Sequence, residues 1–295
     1  MKFTGIMPAL VTPLNKDETV NVSVLESLID DFIARGADGF YLAGATGEGL
    51  ALRPEERMKL AENAISHVRG RAKTIIQVAS TDFSTAVELA KHAERCGADA
   101  ISSTAPLFFG YNADEVYSYY KALAAAVHIP LMIYYNIGAG FNMDAKFVAR
   151  CFEVDNITSV KWTSSSYNEM MMLKDMTHGE INVINGPDEM LLLGLSAGAD
   201  GGIGTTYNYN YKTIRKIYDN FKAGKMDEAL REQEDACRLI SAFRSKMFRG
   251  ILAARAMLEH LGYEVGDATF PFVKYTKEQK ADVVETARLA GWTPW

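Results

Sequence analysis

Gly97-Ala98-Asp99 stands between an amphipathic run and a short apolar one, and the triplet recurs as Gly36-Ala37-Asp38 and Gly198-Ala199-Asp200. Each copy follows a helix-like stretch and precedes a strand-like one. A glycine at that point ends a helix in the left-handed conformation, which a side chain disfavours. One turn from helix to strand is thus reused along the chain. On either side of the triplets the pattern continues. Strand-like runs fall at 5–11, 39–42, 74–78, 98–102, 131–135, 157–161, 182–185 and 201–204. Helical stretches lie between them, at 22–35, from Pro54 onward, and at 84–96, 113–127, 145–152, 167–177 and 189–197. In the first, Leu25, Leu28, Ile29 and Phe32 recur at helical spacing, and Pro54 is a good first-turn residue for the second.

About eight such units predict an α/β fold, a closed (β/α)8 TIM barrel over residues 1–210. An open doubly wound sheet is the alternative, but no Gly-x-Gly-x-x-Gly follows the first strand. Past residue 210 the strands stop. Helices are expected at 214–222, 226–246, 250–261 and 276–289, as a C-terminal helical extension over 211–295 packed on the barrel. No Pro/Gly/Ser-rich linker separates the two parts.

The 295 residues carry a formal charge of −6 with both signs interspersed, so neither a nucleic-acid partner nor a disordered acidic arm is expected. No run approaches the apolar length of a membrane span, and the N-terminus lacks a signal-peptide pattern. Cys96, Cys151 and Cys237 are far apart and odd in number, as in a reducing, cytoplasmic setting. The five histidines show no ligand spacing, so no metal site is expected.

In a parallel barrel the reactive groups gather at the carboxyl ends of the strands. Ile157-Thr158-Ser159-Val160-Lys161-Trp162-Thr163 reads as a buried strand ending in a lysine. A desolvated lysine there can form a Schiff base with a ketone; a strand-end lysine can also simply reach water. Gly44-Ala45-Thr46-Gly47-Glu48-Gly49, after the second strand, can turn backbone amides toward a carboxylate, or be a plain glycine-rich turn. Tyr134-Tyr135-Asn136 ends the fifth strand, where a phenol can pass a proton. Asn185-Gly186-Pro187-Asp188-Glu189 and Gly204-Thr205-Thr206-Tyr207-Asn208 offer carboxylates and hydroxyls suited to a polyhydroxylated ligand, although Asp188 and Glu189 would also serve a helix N-terminus.

Together these stretches resemble the pyruvate-dependent aldolase superfamily of N-acetylneuraminate lyase and dihydrodipicolinate synthase, over nearly the whole chain. The resemblance implies that Lys161 is the Schiff-base lysine and Tyr135 the general acid/base. It makes Ala45 and Thr46 the pyruvate-carboxylate loop. It makes Thr163, Gly186, Asp188, Glu189, Gly204 and Thr205 the sugar-chain contacts, as in the lyase branch. The synthase branch carries an arginine after its Tyr-Asn, where this chain has Ile137-Gly138-Ala139-Gly140. The implied reaction is cleavage of a 2-oxo sugar acid, N-acetylneuraminate foremost, to pyruvate and an aldehyde (N-acetylmannosamine), with no cofactor because the lysine supplies the electrophile. A 2-keto-3-deoxy sugar acid as substrate, or a non-catalytic sugar-acid-binding relative, are the alternatives. A homotetramer is implied as well. Relatives usually have Ser or Thr at the position of Ala45, and a tyrosine in the loop where this chain has Phe108-Phe109.

Overall fold

The computed structural model describes residues 2–137 and 140–294. Eight parallel strands alternate with helices: β1 (Gly5–Pro8), α1 (Val22–Ala34), β2 (Gly39–Leu42), α2 (Pro54–Val68), β3 (Lys73–Gln77), α3 (Phe83–Cys96), β4 (Ala100–Ser103), α4 (Ala113–Ala125), β5 (Leu131–Asn136), α5 (Ala145–Phe152), β6 (Ile157–Thr163), α6 (Tyr167–Met176), β7 (Asn182–Asn185), α7 (Leu191–Ser196), β8 (Gly201–Gly204) and α8 (Tyr207–Lys222). Three further helices follow: α9 (Met226–Ser245), α10 (Gly250–His260) and α11 (Lys277–Leu289). The strands pair in the order β1-β8-β7-β6-β5-β4-β3-β2, and a bridge from Ala9 to Tyr41 joins the two ends. This is the (β/α)8 barrel with a helical extension.

Two apolar layers hold it. Met7, Tyr41, Ile75, Ala100, Met132, Tyr134, Ile184 and Ile203 fill the barrel interior. Ile6, Phe40, Leu42, Ile133, Trp162 and Val183 point the other way, into the helix layer. The two sets alternate along each strand, as a side-chain period of two requires.

The recurring Gly-Ala-Asp triplets do two jobs. Gly36, Gly97 and Gly198 take φ of 83°, 89° and 99° at the helix ends. The aspartate that follows then caps the start of a neighbouring strand. Asp38 accepts the Ile6 N–H (2.8 Å), Asp99 that of Thr74 (2.9 Å) and Asp200 that of Val183 (2.9 Å). Barrel-floor amides that would otherwise be buried without acceptors are thereby satisfied.

The boundary expected at 210/211 falls inside α8. That helix packs on β1 and β8 and completes the barrel. Its Asn208 side chain accepts from the Val11 N–H (3.0 Å) and donates to the Ala9 carbonyl (2.7 Å), so it secures the first strand's exit. Asn210 departs from helical geometry (φ −120°, ψ 26°). Helices α9–α11 follow α8. Among the described residues no helix is long and apolar enough to cross a membrane.

Candidate active site

Strand β6 presents Lys161 only because it carries a bulge. Leu131 of β5 pairs with Ile157, but Met132 pairs with Ser159, which leaves Thr158 without a partner. One extra residue reverses the faces of everything after it. Ile157 faces the helix layer, and without the bulge Lys161 would face it too. With the bulge, Lys161 enters the barrel and pairs with Tyr134. The amine Nζ lies 4.0 Å from the ring centre of Tyr134 and 4.6 Å from that of Tyr41. The two rings meet edge to face at 5.8 Å. The Tyr41 hydroxyl donates to Ser102 Oγ (3.0 Å), which donates to the Met132 carbonyl (2.9 Å). Burial pushes the Tyr41 phenol well above its ordinary range, so it stays protonated. Among the described residues Lys161 has no carboxylate in ion-pair contact, and the Tyr134 hydroxyl makes no hydrogen bond.

The ring that lies under the Lys161 amine beside Tyr41 is that of Tyr134, the neighbour of Tyr135. Tyr135 pairs with Trp162 on the opposite face, its ring 5.0 Å from the indole. Burial raises its phenol, and a hydrogen bond with Ser164 opposes that.

At the carboxyl ends of the strands opens a cavity of about 730 Å³, walled by Asn136 of β5 and Thr163 of β6; Lys161 and Tyr135 are not in its lining. Ala45, Thr46, Thr163, Gly186, Asp188, Glu189 and Thr205 all line it. Thr46 and Thr205 share a hydrogen bond of 2.7 Å between their hydroxyls, across the gap between β2 and β8. The Thr163 hydroxyl is buried without a protein partner, and it lies where a Gly186 side chain would have to be. Asp188 accepts the Thr206 N–H (2.7 Å). Burial pushes its carboxyl up to about 6, against the pull of the Thr206 bonds and with Glu189 adding to the rise. Glu189 is held by an ion pair to Arg244.

Gly204 does not line the cavity. Its missing side chain leaves the space that the Asp188 carboxylate occupies, so it acts through Asp188. Tyr207 and Asn208 are buried parts of the scaffold rather than ligand surface. Gly138 and Ala139, part of the stretch read for a missing arginine, lie outside the described residues.

The sequence reading missed the outer wall. Tyr209 of α8, Ile240, Phe243 and Arg244 of α9, and Phe248, Gly250 and Ile251 at the start of α10 complete the cavity. An amphipathic helix pattern shows that one face is buried, but not what lies against it.

This geometry has counterparts among known proteins. Residues 2–290 match the dihydrodipicolinate synthetase family. The chain belongs to that family. The family likeness extends to a 4-hydroxy-tetrahydrodipicolinate synthase from Oceanobacillus iheyensis, 29% identical over 95% of this chain and 94% of that one. An N-acetylneuraminate lyase from Rhizobium meliloti is 31% identical over 99% and 97%. The solved N-acetylneuraminate lyase of Proteus mirabilis superposes with a TM-score of 0.93 at 28% identity, covering 99% of this chain and 100% of that chain. Within the dihydrodipicolinate synthetase family the coarse activity is that of a carbon–carbon lyase of the class I aldolase kind.

Proposed function

We propose that this chain cleaves a 2-oxo sugar acid, N-acetylneuraminate foremost, into pyruvate and N-acetylmannosamine. The observation that carries the reading is the buried amine of Lys161, set against two tyrosine rings on the strand that also gives Thr163 to a cavity of hydroxyls and carboxylates. Arg244 is the one cationic side chain among the described residues lining that cavity, and Glu189 already engages it. A substrate needing a second carboxylate site near the amine finds no free partner there, which disfavours the synthase reaction.

Lys161 adds to the C2 ketone, and loss of water leaves an iminium. The C3–C4 bond then breaks, its electron pair moving into the iminium to form an enamine, while the C4 hydroxyl becomes the aldehyde. The proton of the C4 hydroxyl goes to the Tyr134 oxygen as Tyr134 passes its own proton on to the bound carboxylate. The proton held by the carboxylate then goes to C3 of the enamine, and addition of water to the resulting iminium releases pyruvate and restores the amine. The Ala45–Thr46 loop receives the pyruvate carboxylate. Thr163, Gly186, Asp188, Glu189 and Thr205 meet the polyhydroxylated remainder.

Borohydride added with pyruvate should fix one pyruvate-derived mass on the protein, at Lys161, and Lys161→Ala should neither be labelled nor cleave substrate. An unlabelled wild type would refute the Schiff-base assignment. Pyruvate release should be fastest from N-acetylneuraminate in a panel of 2-oxo sugar acids. Release confined to 2-keto-3-deoxy acids without the acylamino group would move the substrate to that class.

A further inference from the structure

Glu48 ends the Gly-Ala-Thr-Gly-Glu turn; its side chain is fully buried and does not line the cavity. Arg255 of α10 is buried against it. Arg255 donates from Nε (2.9 Å) and Nη2 (2.6 Å) to Glu48 Oε1. Glu48 Oε2 accepts from the backbone N–H (2.7 Å) and hydroxyl (2.9 Å) of Thr269. The remaining Arg255 donors reach the carbonyls of Val265 (2.7 Å), Gly266 (3.2 Å) and Thr12 (2.9 Å). The Thr12 hydroxyl in turn donates to the Gly47 carbonyl (2.7 Å).

A buried ion pair is a poor source of stability, because desolvating two charges cancels much of their attraction. An apolar pair of the same volume would join loop and helix as well. What the pair adds is direction, since the planar guanidinium fixes where the carboxylate lies. Direction is needed here. Glu48 has φ of 56°, the left-handed region that residues with side chains rarely adopt, and Ala43 at the other end of the turn has φ of 55°. A turn with both ends in that region holds its shape only if the surroundings impose it. Its apex carries Ala45 and Thr46 into the cavity wall.

We propose that Arg255 is a positioning residue for the carboxylate-binding loop. Acting through Glu48 from below, it sets the orientation in which Ala45 and Thr46 receive the carboxylate of the 2-oxo acid. The proposal rests on the Schiff-base reading above. It makes α10 part of the site from two sides, because Gly250 and Ile251 at its start line the outer cavity while Arg255, one turn further, holds the inner loop.

The test uses the full chain and borohydride trapping of pyruvate. The pyruvate concentration that half-saturates labelling should rise ~10-fold or more in Arg255→Met and Glu48→Gln, a loss of about 1.4 kcal/mol in carboxylate binding. Labelling at saturating pyruvate, and its pH profile, should stay as in wild type, because Lys161 is untouched. Arg255→Lys keeps the charge without the fork, and should fold and still weaken half-saturation several-fold. The double variant Glu48→Met with Arg255→Met should recover the unfolding midpoint but not the pyruvate affinity. Half-saturation within twofold of wild type in Arg255→Lys, or recovery of affinity together with stability in the double variant, would overturn the proposal and leave the pair a structural tie. A wild type that takes no label would instead refute the Schiff-base reading, and the proposal with it.

Discussion

Tyr134 and Tyr135 are neighbours in the chain, yet their rings lie on opposite faces of β5, one over Lys161 and one over Trp162. The two phenols can therefore be told apart by mutation. Tyr134→Phe should trap pyruvate on Lys161 yet turn over at least ~100-fold more slowly, the usual lower scale for a lost general acid/base. Tyr135→Phe should stay within a few-fold of wild type. Steady-state rates on the two variants decide the matter, and the reverse ranking would return the role to Tyr135. Asp188 makes a second prediction at this scale. Its carboxyl titrates near 6 in the folded chain, above the ordinary value of 3.8, so the native state holds that proton more tightly than the unfolded one. Stability contributed by the group is present below about pH 4 and is lost as pH rises through about 6. Asp188→Asn, which keeps the acceptor for the Thr206 N–H, should gain on the order of 3 kcal/mol over wild type at pH 8 and little at pH 4. Urea midpoints at the two pH values check this, and a pH-independent difference would contradict it.

The elements divide the work between the ends of the barrel. The three triplet aspartates close its floor, while the cavity opens at the carboxyl ends of the strands. Asp99→Ala removes the acceptor of the Thr74 N–H and the ion pair to Lys73 (2.6 Å), leaving a buried amide without a partner. That should cost about 1–3 kcal/mol in urea unfolding. Half-saturation of pyruvate trapping should not move, because the altered group lies at the far end from Lys161. A parallel loss of pyruvate affinity would show that the floor and the site are coupled.

For the whole molecule, the loop after β4 presents Phe108 and Phe109, 91% and 66% exposed, stacked edge to face at 5.1 Å. Tyr111 continues the cluster at 5.9 Å from Phe109. Contiguous exposed aromatics of this kind mark an association surface rather than an ordinary solvent face. We expect a homotetramer in which this loop meets a second copy. Phe109→Ser should weaken association more than turnover per assembled site. Sedimentation of wild type as a monomer at micromolar concentration would contradict the interface. A faster Phe109→Tyr variant would show instead that a hydroxyl missing at the mouth limits the rate.

The sequence by itself determined the order of strands and helices, the Gly-Ala-Asp turns between them and a lysine at the end of the sixth strand. These depend on local backbone preference and on hydrophobic period, which neighbouring residues encode. It also placed Thr46, Thr163, Asp188 and Thr205 on adjoining strand ends, since a parallel barrel brings such ends together whatever its details. Tertiary structure decided the rest. The bulge at Thr158 paired Lys161 with Tyr134, and no local pattern marks it, because an extra residue in a strand is fixed only by its partner strand. Gly204 became the space for a carboxylate, and Arg244 and Phe243 became the outer wall, through contacts between segments far apart in the chain. Arg255 reaches Glu48 across 207 positions. A helix pattern shows that such a residue has a buried side, but only packing settles which loop lies against it.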